Sequence, residues 1–206
     1  MAISFVGSAV GTGTATMPAH QPGDMILVYA FRNNSTGVPT KPDGWTTLHG
    51  STGANNCADH LVGKFATSSS ETVGTWPESP SPRLAVHVYR GTTATGALNS
   101  GAGNGTNVVY PSLSLQDASG SSWVVRFAGL TFWTTSSAPT TPSGYTPRTV
   151  SQTVRSYDRA AVAFNPGSTS MFTDAGASGY QSISLELRVG ETSPNPVDTT
   201  RFFQFF

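Results

Sequence analysis

Apolar and polar residues alternate along this chain with a period of two far more often than with a helical period. In "SISLELRV" (182–189) Ile183, Leu185, Leu187 and Val189 fall on one face, and Ser184, Glu186 and Arg188 on the other. "RLAVHVYR" (83–90) sets Leu84, Val86 and Val88 against Ala85, His87 and Tyr89, which predicts a strand with the His87 imidazole turned outward. "DMILVYAF" (24–31) and "SWVVRFA" (122–128) are near-continuous apolar runs. Runs this short read as central strands covered on both faces. Between them lie turn clusters such as "NNSTG", "KPDG", "NPGS" and "TPSG", where Gly, Pro and Asn supply the backbone angles a reversal needs. The pattern predicts an all-β chain of short strands: a β-sandwich of jelly-roll or Greek-key type.

The same pattern repeats within the chain. "GDMILVYAFR" (23–32) lies over "GSSWVVRFAG" (120–129) at an offset of 97 residues. "TKPDGWTTL" (40–48) lies over "TTPSGYTPR" (140–148) at an offset of 100, matching Gly44 with Gly144 and Trp45 with Tyr145. "RLAVHVYRG" (83–91) lies over "SISLELRVG" (182–190) at an offset of 99, matching Val86 with Leu185. Three blocks in one order predict two related halves, about 1–93 and 94–190, in a β-sandwich spanning 1–190. They fit one fused sandwich or two in tandem. "GTTATGALNSGAGNGT" (91–106) reads as the Gly-rich connection between them. After Gly190 the text becomes "ETSPNPVDTTRFFQFF". Pro194 and Pro196 force an extended path, so 191–206 is expected to be an arm leaving the sandwich.

Composition narrows the function. Eleven basic residues balance eleven acidic ones, so nothing steers the chain toward nucleic acid or an anionic membrane. Charged residues make up only 11%, well below the ~25% of ordinary soluble domains. Ser, Thr and Gly take their place. A polar surface with little charge suits a chain that lives packed in an assembly. The single cysteine, Cys57, excludes an intrachain disulfide. The N-terminus lacks a basic-then-apolar leader, which points to folding in a cytosol.

Candidate chemistry is sparse. "GAGNGT" (101–106) is followed by a strand-like segment, whereas a phosphate-cradling loop needs a helix there. None of His20, His49, His60 and His87 has the spacing of a metal site. "NNCADH" (55–60) gathers Asn55, Asn56, Asp59 and His60 without the regular spacing of a calcium loop. No G-x-S-x-G elbow occurs, and Cys57 reads as a lone buried thiol. The carboxylates are scattered at turns and strand edges, so no pair is set up for glycosidic chemistry. Trp45, matched by Tyr145, reads as core packing beside a turn. The sequence therefore implies no catalytic residue, no cofactor and no metal.

The segments "GDMILVYAFRNNSTGVPTKPDGWTTL", "ATSSSETVGTW" and "SSWVVRFAGL" resemble small β-rich structural proteins of tailed bacteriophages over most of residues 3–190. The resemblance implies a virion component assembled in the host cytoplasm, such as a capsid decoration or cement protein or a piece of a head or tail fibre. It implies a trimer or other symmetric homo-oligomer seated on the major capsid or tail protein. The alternative is a receptor- or carbohydrate-binding module of a fibre, and behind it a glycan-degrading enzyme. Partner contact is expected from the arm's Arg201, Phe202, Phe203, Phe205 and Phe206, because four rings in five positions are too apolar to stay solvated. Phe132 and Trp133, in a segment that lengthens the second half, complete the expected contact set.

Overall fold

The computed structural model describes residues 1–52, 56–104, 107–131, 141–151, 153–172 and 179–189. The first half contributes β1 (Ser4–Thr12), β2 (Met25–Arg32), β3 (Thr46–Thr52), β4 (Ala58–Phe65) and β5 (Arg83–Arg90). They form one antiparallel sheet in the order β1-β5-β2-β4-β3. The second half contributes β6 (Ala94–Gly103), β7 (Asn107–Tyr110), β8 (Ser122–Leu130), β9 (Thr146–Val150), β10 (Val154–Val162), β11 (Thr169–Phe172) and β12 (Tyr180–Arg188). Five of these make a second sheet in the order β6-β12-β8-β10-β9, and β7 pairs with β11 in a two-stranded sheet. The described residues contain no helix.

The two large sheets pack face to face as a β-sandwich. Leu27, Tyr29 and Phe31 of β2 and Ala85 and Tyr89 of β5 meet Val125 and Phe127 of β8 and Ile183, Leu185 and Leu187 of β12 in one core. At its centre Tyr29 stacks on Phe127, with centroids 5.3 Å apart and rings 18° from parallel. Each sheet is also covered outside. On the first, Ala15, Met17, Ala66, Val73 and Trp76 from the connections lie on Ile26, Val28, Leu84, Val86 and Val88. On the second, Val108, Tyr110 and Leu113 lie on Val124, Ala128, Tyr157 and Tyr180. This double cover explains the unbroken apolar runs of β2 and β8. It also corrects the outward assignment of His87. On β5 both faces are interior, and the face carrying His87 points between the sheets with the residue wholly buried.

The architecture differs from a jelly roll. In that fold the chain alternates between two sheets, whereas here each half completes its own sheet and the chain passes between them once, from β5 to β6. The Gly-rich stretch expected as a plain connection contains β6, a ten-residue edge strand of mostly small side chains paired to β12. Its alternation is invisible in sequence because Gly and Ala carry too little apolar contrast.

The two sheets agree in more than strand order. Leu27 faces His87 and Tyr29 faces Ala85 in the first. Val125 faces Leu185 and Phe127 faces Ile183 in the second. The extra residue in β3 is Leu48, between Thr47 and His49, and the extra residue in β9 is Arg148, between Pro147 and Thr149. The edge strands β1 and β6 slip register beside Tyr89 and Leu187 respectively. Gly44 and Gly144, with φ of 81° and 79°, turn the chain into β3 and β9, where a side chain would be strained. Trp45 and Tyr145 follow them, both buried. Pairing thus sets Leu185 in the place of His87, one residue from the Val86 match suggested by the sequence blocks, and the strands correspond at a separation of 98 residues.

Candidate functional site

The expected contact residues Phe132, Trp133, Arg201, Phe202, Phe203, Phe205 and Phe206 lie outside the described residues. Within them, chemistry-bearing side chains gather at two places between the sheets and at one cavity.

The first place is a hydrogen-bonded chain where β5, β9 and β10 meet. Tyr89 donates its hydroxyl proton to Asp158 Oδ2 at 3.1 Å, and Arg148 Nε donates to the same oxygen at 2.8 Å. The Tyr89 oxygen, its proton so used, accepts from His87 Nδ1 at 3.2 Å. His87 Nε2 is left to accept from the Ser156 hydroxyl at 2.7 Å and the Thr149 hydroxyl at 3.1 Å. Burial, aided by the Arg148 charge, pushes the imidazole down to about 3, so the ring is neutral. A serine hydroxyl bonded to a histidine nitrogen is the pairing of a hydrolase nucleophile and its base. Here Ser156 and His87 are both fully buried. The groups satisfy one another and tie the sheets together. Sequence reasoning missed this set because Ser156, Asp158 and Arg148 sit some 60–70 residues from His87 and only the fold brings them together.

The second place lies on β3 and β4. Ser51 donates to Asp59 Oδ1 at 3.0 Å, and His49 Nε2 stands 3.7 Å from the same oxygen. Gln181 of β12 reaches across, its Oε1 3.3 Å from the Ser51 hydroxyl. Burial pushes the Asp59 carboxyl up to about 7, against the Ser51 hydrogen bond. Burial also raises the neighbouring Cys57 thiol to about 11, which leaves it inert at neutral pH. Asp59 and His60, considered as a loose cation site, face opposite ways: His60 packs on Trp76 outside the sheet while Asp59 points inside. Among the described residues no three His, Cys, Asp or Glu side chains converge as metal ligands.

The cavity opens at the end of the sandwich where β8 begins and β12 ends. It encloses about 580 Å³ and is lined by Ile3, Gln116, Asp117, Ser119, Trp123 and Arg188 among others. Trp123 is partly buried and meets Tyr89 edge-on at 6.0 Å. Asp117 Oδ1 accepts from the Ser119 amide at 2.9 Å and Oδ2 from the Ser121 hydroxyl at 2.5 Å. These bonds hold the carboxyl down at about 2. Arg188 Nη1 donates to Gln116 Oε1 at 2.7 Å. The cavity joins an aromatic wall to a guanidinium, a carboxylate, an amide and hydroxyls, a set able to hold a polar ring. Arg188 was legible as a residue of the polar face of its strand; nothing in the sequence set it at the same cavity as Trp123.

No known family, curated protein or solved structure matches the chain.

Proposed function

We propose that this protein is a non-enzymatic structural component of a tailed-phage virion, a decoration or cement protein that works through contacts between copies and with the capsid or tail protein beneath. The observation that carries the reading is the state of the sheet edges. Proteins that must stay monomeric guard such edges with charges or prolines. Of the four edge strands of the two large sheets, β1 (SFVGSAVGT), β3 (TTLHGST) and β6 (ATGALNSGAG) contain no Asp, Glu, Lys, Arg or Pro. Val10 of β1 stands half exposed. Each of the three carries a bulge, which bends an edge away, but no charge to repel a strand laid beside it, and such edges suit a chain whose neighbours are supplied by an assembly. The sealing of the Ser156–His87 pair supports a role in contact over one in chemistry.

The test is to fractionate purified particles and locate this chain, alongside the oligomeric size of the isolated protein and of a variant lacking 197–206. The reading expects the chain on the particle, an oligomer for the full length, and a folded but unassembled truncation. A chain absent from particles and monomeric at high concentration overturns it, as does hydrolysis of a polysaccharide abolished by one Asp or Glu substitution.

A further inference from the structure

Arg90 closes β5 and Arg188 closes β12 at corresponding places, yet the two guanidinium groups are treated differently. Arg90 is gripped by Asp24, with Nε to Oδ1 at 2.9 Å and Nη2 to Oδ2 at 2.8 Å. The two-pronged bond uses the geometry that arginine and carboxylate share. In the second sheet the residue preceding Trp123, in the place of Asp24, is Ser122, and its hydroxyl donates to Glu186 at 2.8 Å. Among the described residues Arg188 is not gripped by a carboxylate as Arg90 is, and its charge acts on the Asp117 carboxylate without a direct bond. Its Nη1 is taken by Gln116, and its Nε is shielded from solvent without a hydrogen bond. A shielded donor without an acceptor is costly. That nitrogen, closed to water, is closed to a ligand as well; what the side chain offers the 580 Å³ cavity it lines, together with Trp123 and Asp117, is its charge and its outer nitrogens.

We propose that this cavity is a binding site for a neutral saccharide unit, whose apolar ring face packs on Trp123 while its oxygens accept from Arg188 and its hydroxyls donate to Asp117 and Gln116. The volume suits one or two sugar rings by the measure of small-ligand pockets. A sugar ring presents what the lining asks for: an apolar face, several donors and several acceptors. Asp117 selects against anions. Its carboxylate is ionised and shares the lining with Arg188, so a ligand carboxylate placed to satisfy Arg188 also meets a like charge. A hydroxylated neutral ring satisfies both groups.

The experiment is titration calorimetry of the full chain with glucose, galactose, mannose and N-acetylglucosamine, and with glucuronate and galacturonate as charged counterparts. We expect at least one neutral sugar to bind with a dissociation constant of about 1 mM. Arg188→Gln is expected to weaken it about tenfold, as loss of a charge-assisted hydrogen bond does, while Arg90→Gln, on the first sheet, leaves it unchanged. Thermal melts accompany both variants. If Arg188→Gln melts early, Gln116→Ala on the exposed wall takes its place and is expected to weaken binding in the same direction. No binding by any neutral sugar, binding only by the acids, or equal binding by wild type and the wall variants overturns the proposal.

Discussion

One backbone plan builds the two flanks of the sandwich interior, with a connected polar network on one and, beside the Ser51–Asp59 pair, mainly leucines at the matching places on the other. Where β5, β9 and β10 meet, the inward positions hold His87, Tyr89, Arg148, Ser156 and Asp158. At the corresponding positions of β12, β3 and β4 stand Leu185, Leu187, Leu48, Leu61 and Gly63. Leu48 and Leu98 fill the second side as partly buried apolar residues; Arg148 and Ser8, in the same places, close the first side, with the Ser8 hydroxyl donating to the Arg148 carbonyl at 2.8 Å. Both sides seal the core. The fold itself therefore does not require the polar network, and the network fixes which groups must stay together once chosen. A buried polar set contributes little net stability when complete and costs several kcal/mol when broken.

That contrast is open to a direct test. Asp158→Ala is expected to have a large effect, a loss of about 3–5 kcal/mol, because it leaves the half-buried Arg148 guanidinium and the buried Tyr89 hydroxyl without their acceptor. Denaturant unfolding measures it. Replacing the five polar residues together by their apolar counterparts is expected to recover most of that loss; a fivefold variant as weak as Asp158→Ala would show that the network stabilises in its own right.

A smaller effect is expected on the central strands. Phe31 of β2 and Gly129 of β8 occupy corresponding places, and a Cβ on Gly129 would lie 2.1 Å from the Phe31 ring. One side's ring thus fills the other side's missing side chain. Gly129→Ala alone is expected to cost about 1–3 kcal/mol by overpacking, and adding Phe31→Leu should return part of it. Thermal melts of the two single variants and the pair decide the matter, since simple additivity would mean the residues do not share the space.

A third expected effect concerns pH. Asp59 holds its proton up to about pH 7 in the fold, against an ordinary value of 3.8; its counterpart in the second sheet is Val154, faced by Gly129 as Asp59 is faced by Phe31. The folded chain keeps a proton that the unfolded chain releases. The stability tied to this group is therefore full below about pH 4 and is lost as pH rises through 7. Asp59→Val should flatten the fall in melting temperature between these limits. A variant as pH-sensitive as the parent would locate that dependence elsewhere.

Much of the scaffold was legible from sequence because burial writes itself as pattern. The runs around Met25 and Val124 betray strands covered on both faces, and the Gly-aromatic turns at Gly44 and Gly144 mark the same entry into β3 and β9. Two things were not legible. Alternation reveals two faces without saying which is the inner one, so His87 read as exposed when loops bury the opposite face as well. Small residues hide a strand altogether, as in β6, where backbone pairing does the work that side chains usually announce. The cavity was hidden for a third reason: Trp123 and Arg188 are 65 residues apart and line one cavity only because β8 and β12 are neighbours.

The single passage of the chain from β5 to β6 bears on how the molecule is assembled in time. Every backbone ladder lies within one half, and among the described residues the hydrogen bonds spanning the two halves involve a side chain, apart from the Thr93 amide, which donates to the Arg188 carbonyl at 2.9 Å beside the connection. Neither sheet needs the other to complete its pairing, so loop closure within about 90 residues sets the pace for each. What remains is a docking step between two preformed surfaces, guided by the Tyr29–Phe127 stack and locked by the Asp158 network. Cut between β5 and β6, such a chain is a pair of complementary fragments, and the covalent link serves chiefly to keep each half in the company of the other.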